Sequence, residues 1–188
     1  MAVVRDKDQD EHYAFYFNTE KIELLDSAML YPDPEDLFIR EPYAAQFRPK
    51  HSGESFVLRT VHTDATEKGA AREIAALAPA ARWAAEKYQG ELGVIALGDF
   101  NAGVTYLTVP QVAEIRNQHL PHRWIVPDDA DTTNSSQRDQ AHDRFVVIGQ
   151  DLDARFTGTW GVDRTVSSKT VSDHLPVWAE FWFSRKTD

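Results

Sequence analysis

Cysteine is absent from this 188-residue chain, which excludes disulfides and thiolate metal sites. Its absence fits a reducing compartment, cytoplasmic or bacterial, without fixing one. No stretch approaches the about 18 uninterrupted apolar residues of a spanning helix, so no membrane span is expected. No charged-then-apolar leader opens the sequence, so no secretory signal is expected. Positive charge is also scarce: 20 Lys and Arg stand against 30 Asp and Glu, a formal net charge of −10. Proteins that hold nucleic acid by bulk electrostatics are usually basic, so a DNA-coating protein is disfavoured. An enzyme that meets phosphate through a metal and a few arginines is not excluded, and carboxylates gathered for a cation themselves lower the total.

What is present is globular. Apolar residues make up 42% and aromatics 11%, enough to form a core. The length fits one domain over residues 1–188. Met1 to Asp10 is polar and reads as a loop or frayed start. Tyr13, Phe15 and Phe17 alternate with His12, Ala14 and Tyr16, a strand pattern. Asn18-Thr19-Glu20 reads as a turn, and Ile22 to Tyr31 as a second extended segment. Tyr31 to Asp36, with two prolines and three acids, is a loop. Tyr43 to Phe47 and Ser55 to Val61 are further strands, the latter ending at His62. Thr66 to Tyr88 is helical, with Ile74, Leu77, Ala78, Ala81, Ala85 and Tyr88 as its apolar stripe and Thr66 as its cap. Pro79 lacks the N–H that should reach Ala75, so a kink or two helices are expected there. Pro110 to Gln118 reads as a short helix, Trp124 to Val126 as extended, and Asp128 to Ala141 as a long polar loop. Asp143 to Ile148 is a buried strand. An irregular stretch rich in Gly, Ser and Thr follows, and then a last strand from Leu175 to Phe183. Short strands with a helical crossover argue for an antiparallel or mixed sheet in a two-layer or sandwich α/β architecture.

The chain is organised around Ile95 to Ala102. An apolar run ends at Gly98 and then offers Asp99 and Asn101 on one side of a strand end, with Phe100 turned inward. A carboxylate and a carboxamide so placed suit a hard divalent cation and its phosphate, although Gly-Asp and Asn are also ordinary turn residues. Other polar candidates gather at strand ends too: Glu11, Arg40, His62, Asp143 and Asp173-His174. Converging on one sheet rim, they would supply metal-binding carboxylates, proton-transferring histidines and an anion-binding arginine. Taken singly, each has a plainer role as a turn residue or surface ion pair.

Seven segments in order carry a resemblance. They are Glu11-His12-Tyr13-Ala14-Phe15, Arg40-Glu41-Pro42, Val61-His62, Gly98-Asp99-Phe100-Asn101-Ala102, Trp124-Ile125-Val126-Pro127 with Asp131-Thr132-Thr133, Asp143-Arg144-Phe145-Val146-Val147, and Ser172-Asp173-His174-Leu175-Pro176-Val177. Together they resemble the endonuclease/exonuclease/phosphatase superfamily, closest to its deoxyribonuclease I branch. The resemblance implies a four-layer α/β/β/α sandwich and phosphodiester hydrolysis of DNA with Mg²⁺ or Mn²⁺. It implies that Asp143 orients His174 and Glu11 orients His62, leaving open which pair is acid or base. It gives Asp99 and Asn101 to the phosphate and the attacking water, Asp173 to the metal, and Arg40 to a backbone phosphate. The Asp131 loop matches a structural Ca²⁺ loop of that branch.

The sequence also departs from the pattern. The family's first strands, with an Asn and a metal-binding Glu, have no counterpart before Glu11, so an N-terminally incomplete domain is expected. His142 stands where the branch has Tyr, and Gln9 replaces a sugar-stacking Tyr. Two other functions therefore stay in view: a superfamily phosphodiesterase for phospholipid or inositol phosphate, and an inactive fragment or binding module.

Overall fold

The computed structural model describes residues 2–6, 9–89, 91–103, 122–135, 140–166 and 168–184. The central sheet has the strand order β3(Ile22–Leu24), β5(Tyr43–Pro49), β6(Ser55–His62), β7(Glu91–Asp99), β9(Asp143–Ile148), β8(His122–Trp124), and β4(Met29–Leu30) shares an edge of β5 with β3. Only β6 and β7 run parallel among the described pairs. A parallel pair needs a crossover, and helices α1(Glu67–Ala75) and α2(Leu77–Lys87) provide it. The sheet is thus mixed, one of the two arrangements expected from the strand spacing.

Alternation along the strands assigns the two faces. Val61, Ala96 and Val146 pack on Ile74, Leu77 and Ala80 of the helices. Val57 and Val94 pack on Ala84 and Tyr88. The opposite rows, including Leu58, Ile95, Leu97, Phe145 and Val147, meet Phe156, Trp160, Ala179 and Phe181. These last side chains come from a second, two-stranded antiparallel sheet, β10(Phe156–Val162) with β11(Val177–Phe181). Among the described residues the layers therefore run helix, sheet, sheet.

Thr66 caps α1 as expected, its Oγ1 accepting the Gly69 N–H at 3.1 Å. The helical stretch does break, but at Ala76 rather than at Pro79. Starting a new helix at Leu77 puts Pro79 in its first turn, where a missing N–H costs nothing. Of the expected stripe, Ile74, Leu77, Ala78, Ala81 and Tyr88 are buried, whereas Ala85 is exposed and Ala84 is buried in its stead.

Other expectations need correction. The polar N-terminus is a hairpin strand, β1(Ala2–Asp6), paired antiparallel with β2(Gln9–Tyr13), because cross-strand backbone bonding tolerates a charged strand. Strand structure ends at Tyr13 rather than Phe17. The Gly, Ser and Thr-rich stretch contains a short helix, α3(Gln150–Asp153), and all of β10. The helix expected over Pro110 to Gln118 lies outside the described residues.

Arg59 faces the helices and is fully buried. One Nη1–H donates to the Leu77 carbonyl at 3.1 Å, whereas Nε and Nη2 have no partner among the described residues. Burial lowers its pKa to about 10. Replacing a poorly satisfied buried charge by an apolar residue of similar length is neutral or stabilising in other proteins. Arg59→Met is therefore expected to raise stability by about 1 kcal/mol or more. A lower urea midpoint in the variant would contradict this.

Candidate active site

Three adjacent strands end together. His62, Asp99 and Asp143 are register partners across β6, β7 and β9. Each continues the row that faces the second sheet: Leu58 leads to His62, Leu97 to Asp99, and Phe145 to Asp143 by steps of two. The apolar seam between the sheets thus runs out into a polar rim. The loop before β11 adds His174, whose backbone bridges to Thr133.

The two histidines are held alike. His62 Nδ1 lies 2.7 and 2.9 Å from the Glu11 carboxylate oxygens. His174 Nδ1 lies 2.8 Å from Asp143 Oδ2. With Nδ1–H so engaged, each ring is left with Nε2 for chemistry. Both Nε2 atoms point at one oxygen, Asp99 Oδ2, at 3.5 Å from His62 and 3.8 Å from His174. These five side chains are 18–33% exposed, so the rim is open to a substrate. The Asp143 hydrogen bond, aided by the charges of Asp143, Asp99 and Asp173, raises the His174 pKa to about 9 against the opposing effect of burial.

Asn101 follows the strand end in the left-handed region, with φ 45°. Asparagine tolerates that conformation. Its N–H donates to Asp99 Oδ1 at 2.8 Å and its Nδ2 to the Thr63 carbonyl at 2.9 Å. Gly98 has φ 130°, and a Cβ there would come within 2.1 Å of the Val61 carbonyl oxygen. Arg40, expected at a substrate phosphate, is buried. It donates from Nε to the His62 carbonyl at 2.9 Å and from Nη2 to the Thr63 carbonyl at 2.6 Å, with Glu11 Oε2 at 3.5 Å. Asp173 is exposed at the outer edge, beside His174.

No family model matches the chain. Curated relatives do. Deoxyribonuclease-1-like 1 of Sus scrofa is 34% identical over 180 residues, covering 90% of this chain and 56% of the relative. Deoxyribonuclease-1-like 2 of Homo sapiens is 31% identical over 207 residues, covering 93% of this chain and 67% of the relative. The chain belongs to the deoxyribonuclease I-like endonuclease/exonuclease/phosphatase superfamily. Among solved structures, the endonuclease/exonuclease/phosphatase from Bacteroides vulgatus superposes with a TM-score of 0.64 at 17% identity, covering 89% of this chain and 69% of that one. This superfamily chain spans 56 to 67% of the length of these two curated relatives. Membership places it among hydrolases that include nucleases.

A divalent cation is the superfamily's expected cofactor, and the rim can be tested for it. No group of three or more ligating His, Cys, Asp or Glu occurs among the described residues, so an all-protein cage does not fit. Mg²⁺, however, commonly keeps its waters and takes one or two carboxylates together with substrate phosphate. Asp173, exposed and with no side-chain hydrogen bond among the described residues, fits that looser role. The Asp131 loop fits Ca²⁺ less well. Asp131 Oδ1 accepts the Thr133 N–H and hydroxyl, both at 3.2 Å, and Arg164 approaches Oδ2 at 3.4 Å. A guanidinium already provides the positive partner there.

Three residues stand at the site in roles that the sequence did not assign. Thr132 is fully buried, and its Oγ1 accepts the N–H groups of His142 and Asp143 at 3.1 Å each. It thereby fixes the start of β9, a role hidden inside the Asp-Thr-Thr motif. The Tyr13 hydroxyl accepts the His62 N–H at 3.0 Å, and burial keeps that phenol well above its ordinary pKa. His142 is buried, its ring 5.9 Å from that of His174, and burial lowers its pKa.

Proposed function

We propose that this chain hydrolyses phosphodiester bonds of DNA as a divalent-metal-dependent endonuclease of the deoxyribonuclease I type. The observation that carries the proposal is the pair of carboxylate-held imidazoles, each turning Nε2 toward Asp99 Oδ2. A phosphate placed between them meets an imidazole Nε2 on either side. The kinship with deoxyribonuclease-1-like proteins supports DNA as the substrate. The complete fold proposed is the four-layer α/β/β/α sandwich. Trp178, on the outer face of β11, and Trp182, just past its end, are 43% and 48% exposed, apolar surface that a further layer would cover.

The geometry supports these roles. His174, protonated at neutral pH because its pKa is raised to about 9, donates its Nε2 proton to the leaving ester oxygen. His62, held at Nδ1 by Glu11, offers its Nε2 as acceptor to the attacking water. Asp99 Oδ2 orients the attacking water, and Asn101 steadies Asp99 through its backbone N–H. Water oxygen bonds to phosphorus and passes its proton to His62 Nε2 as the ester P–O bond breaks and the leaving oxygen takes the His174 proton. Asp173 would hold Mg²⁺ or Mn²⁺, which supplies charge neutralisation at the phosphate. Arg40 contributes positive charge from behind His62.

Nicking of supercoiled plasmid in Mg²⁺, set beside a panel of phospholipid, inositol phosphate and small phosphodiesters, tests this reading. Plasmid nicking abolished by EDTA and restored by Mg²⁺ is expected. Turnover of the lipid or inositol phosphate alone would reassign the substrate. Plasmid and panel both left intact would sink the enzymatic reading altogether.

A further inference from the structure

Helix α1 buries one acidic side chain, Glu73, completely. It lies on the stripe Gly69, Ala70, Glu73, Ile74, which faces the sheet. A buried carboxylate is costly unless strong hydrogen bonds satisfy it. Here Oε1 accepts the Ile39 N–H at 3.1 Å and Oε2 accepts the Asp64 N–H at 3.2 Å. Arg72, half exposed, is 3.7 Å away. Burial is the main influence on Glu73 and raises its pKa to about 7, against the two N–H bonds.

The two bonded positions sit beside functional side chains. Ile39 precedes Arg40, and Asp64 closes the segment His62-Thr63. Those two loops are then joined to each other by Arg40, which donates to the His62 and Thr63 carbonyls. Thr63 is tied on to the rest of the rim: its N–H donates to the Asp99 carbonyl at 3.0 Å, and its carbonyl also receives Asn101 Nδ2. Glu11 lies 3.5 Å from Arg40 and holds His62 Nδ1.

We infer that Glu73 is a positioning residue for this rim, its single carboxylate fixing the loops that bear Arg40 and His62. A carboxylate suits the task because it offers two acceptor oxygens at once. Glutamine of the same shape would turn an N–H donor toward one of the two backbone N–H groups. The inference goes beyond the proposed hydrolysis, and only its rate measurement rests on that reading.

Glu73→Gln preserves volume and is the first variant. Glu73→Asp, which keeps the charge but shortens the reach, is the second, should the first fail to fold. Amide exchange by NMR at Ile39 and Asp64 reads the ties themselves. The downfield Nδ1–H resonance of His62 reads its bond to Glu11, independently of any activity. Expected in the variant are loss of protection at Ile39 or Asp64, a shift or loss of the His62 signal, and a fall in kcat of at least about 10-fold with KM nearly unchanged. Lost amide protection with an unmoved His62 signal and unchanged kcat would make Glu73 a loop fastening only and overturn the inference. If the wild-type chain hydrolyses nothing, the functional proposal falls, and the His62 signal alone decides: its shift supports positioning and its constancy refutes it.

Discussion

Replacing His174 with alanine is expected to slow phosphodiester hydrolysis by about 10²- to 10⁴-fold, the range for a positioned acid–base group. His174 is the imidazole whose protonation the structure favours. Its bond to Asp143 comes first among the causes, and three neighbouring carboxylates add to it. As proton donor it works in the charged form, so the rate should hold through neutral pH and fall as pH passes about 9. In Asp143→Asn the main cause of the raised pKa disappears, and the alkaline limb should move down toward the ordinary imidazole value. The same linkage bears on stability. A histidine whose pKa is raised on folding stabilises fully below its unfolded value, near 6.5, and that contribution is lost as pH rises through about 9. An unchanged rate in His174→Ala, or an alkaline limb that ignores Asp143→Asn, would refute the assignment.

The rim was legible in sequence because strand parity and motif order act together. Ser55 to His62 alternates cleanly because one face meets helices and the other meets a second sheet, so both rows are recorded as pattern. Gly98-Asp99 marks the end of β7 by the same logic. The partners were not legible. That Arg40 turns its guanidinium onto backbone carbonyls depends on a loop approaching from distant sequence. Glu73 left only a faint signal, an acidic residue on a small-residue helical stripe. The N-terminal hairpin was hidden because Arg5-Asp6-Lys7-Asp8 looks solvated whether paired or not. Strand β10 was hidden by Gly158 and Gly161, which read as loop chemistry.

Arg144→Ala should lower unfolding free energy by about 3–5 kcal/mol, the usual result of removing one member of a satisfied buried charge network. Its guanidinium is 1% exposed with the rest of the residue. It donates to the carbonyls of Ala141 at 2.7 Å and Val126 at 2.6 Å, and pairs with Asp128 at 3.1 Å. It also lies 5.6 Å from the Trp124 ring centroid. Truncation strands those carbonyls without water and opens a cavity at once. Such a loss is a large share of the about 5–15 kcal/mol that holds a typical domain folded. The contrast with Arg59→Met is instructive: both arginines are buried on the same side of the sheet, yet only Arg144 is well satisfied. Urea denaturation compares them directly, and a loss below about 1 kcal/mol for Arg144→Ala would disprove the network's importance.

Gly98 has no functional group, yet it sets the gauge of the whole rim. Its backbone comes so near Val61 that a single methyl would strike the carbonyl oxygen. The next rung of that same ladder pairs His62 with Asp99. Any side chain there would pry β6 from β7 and widen the gap across which imidazole and carboxylate face each other. A residue without a side chain thus has its identity fixed by the spacing of the two strands beside it.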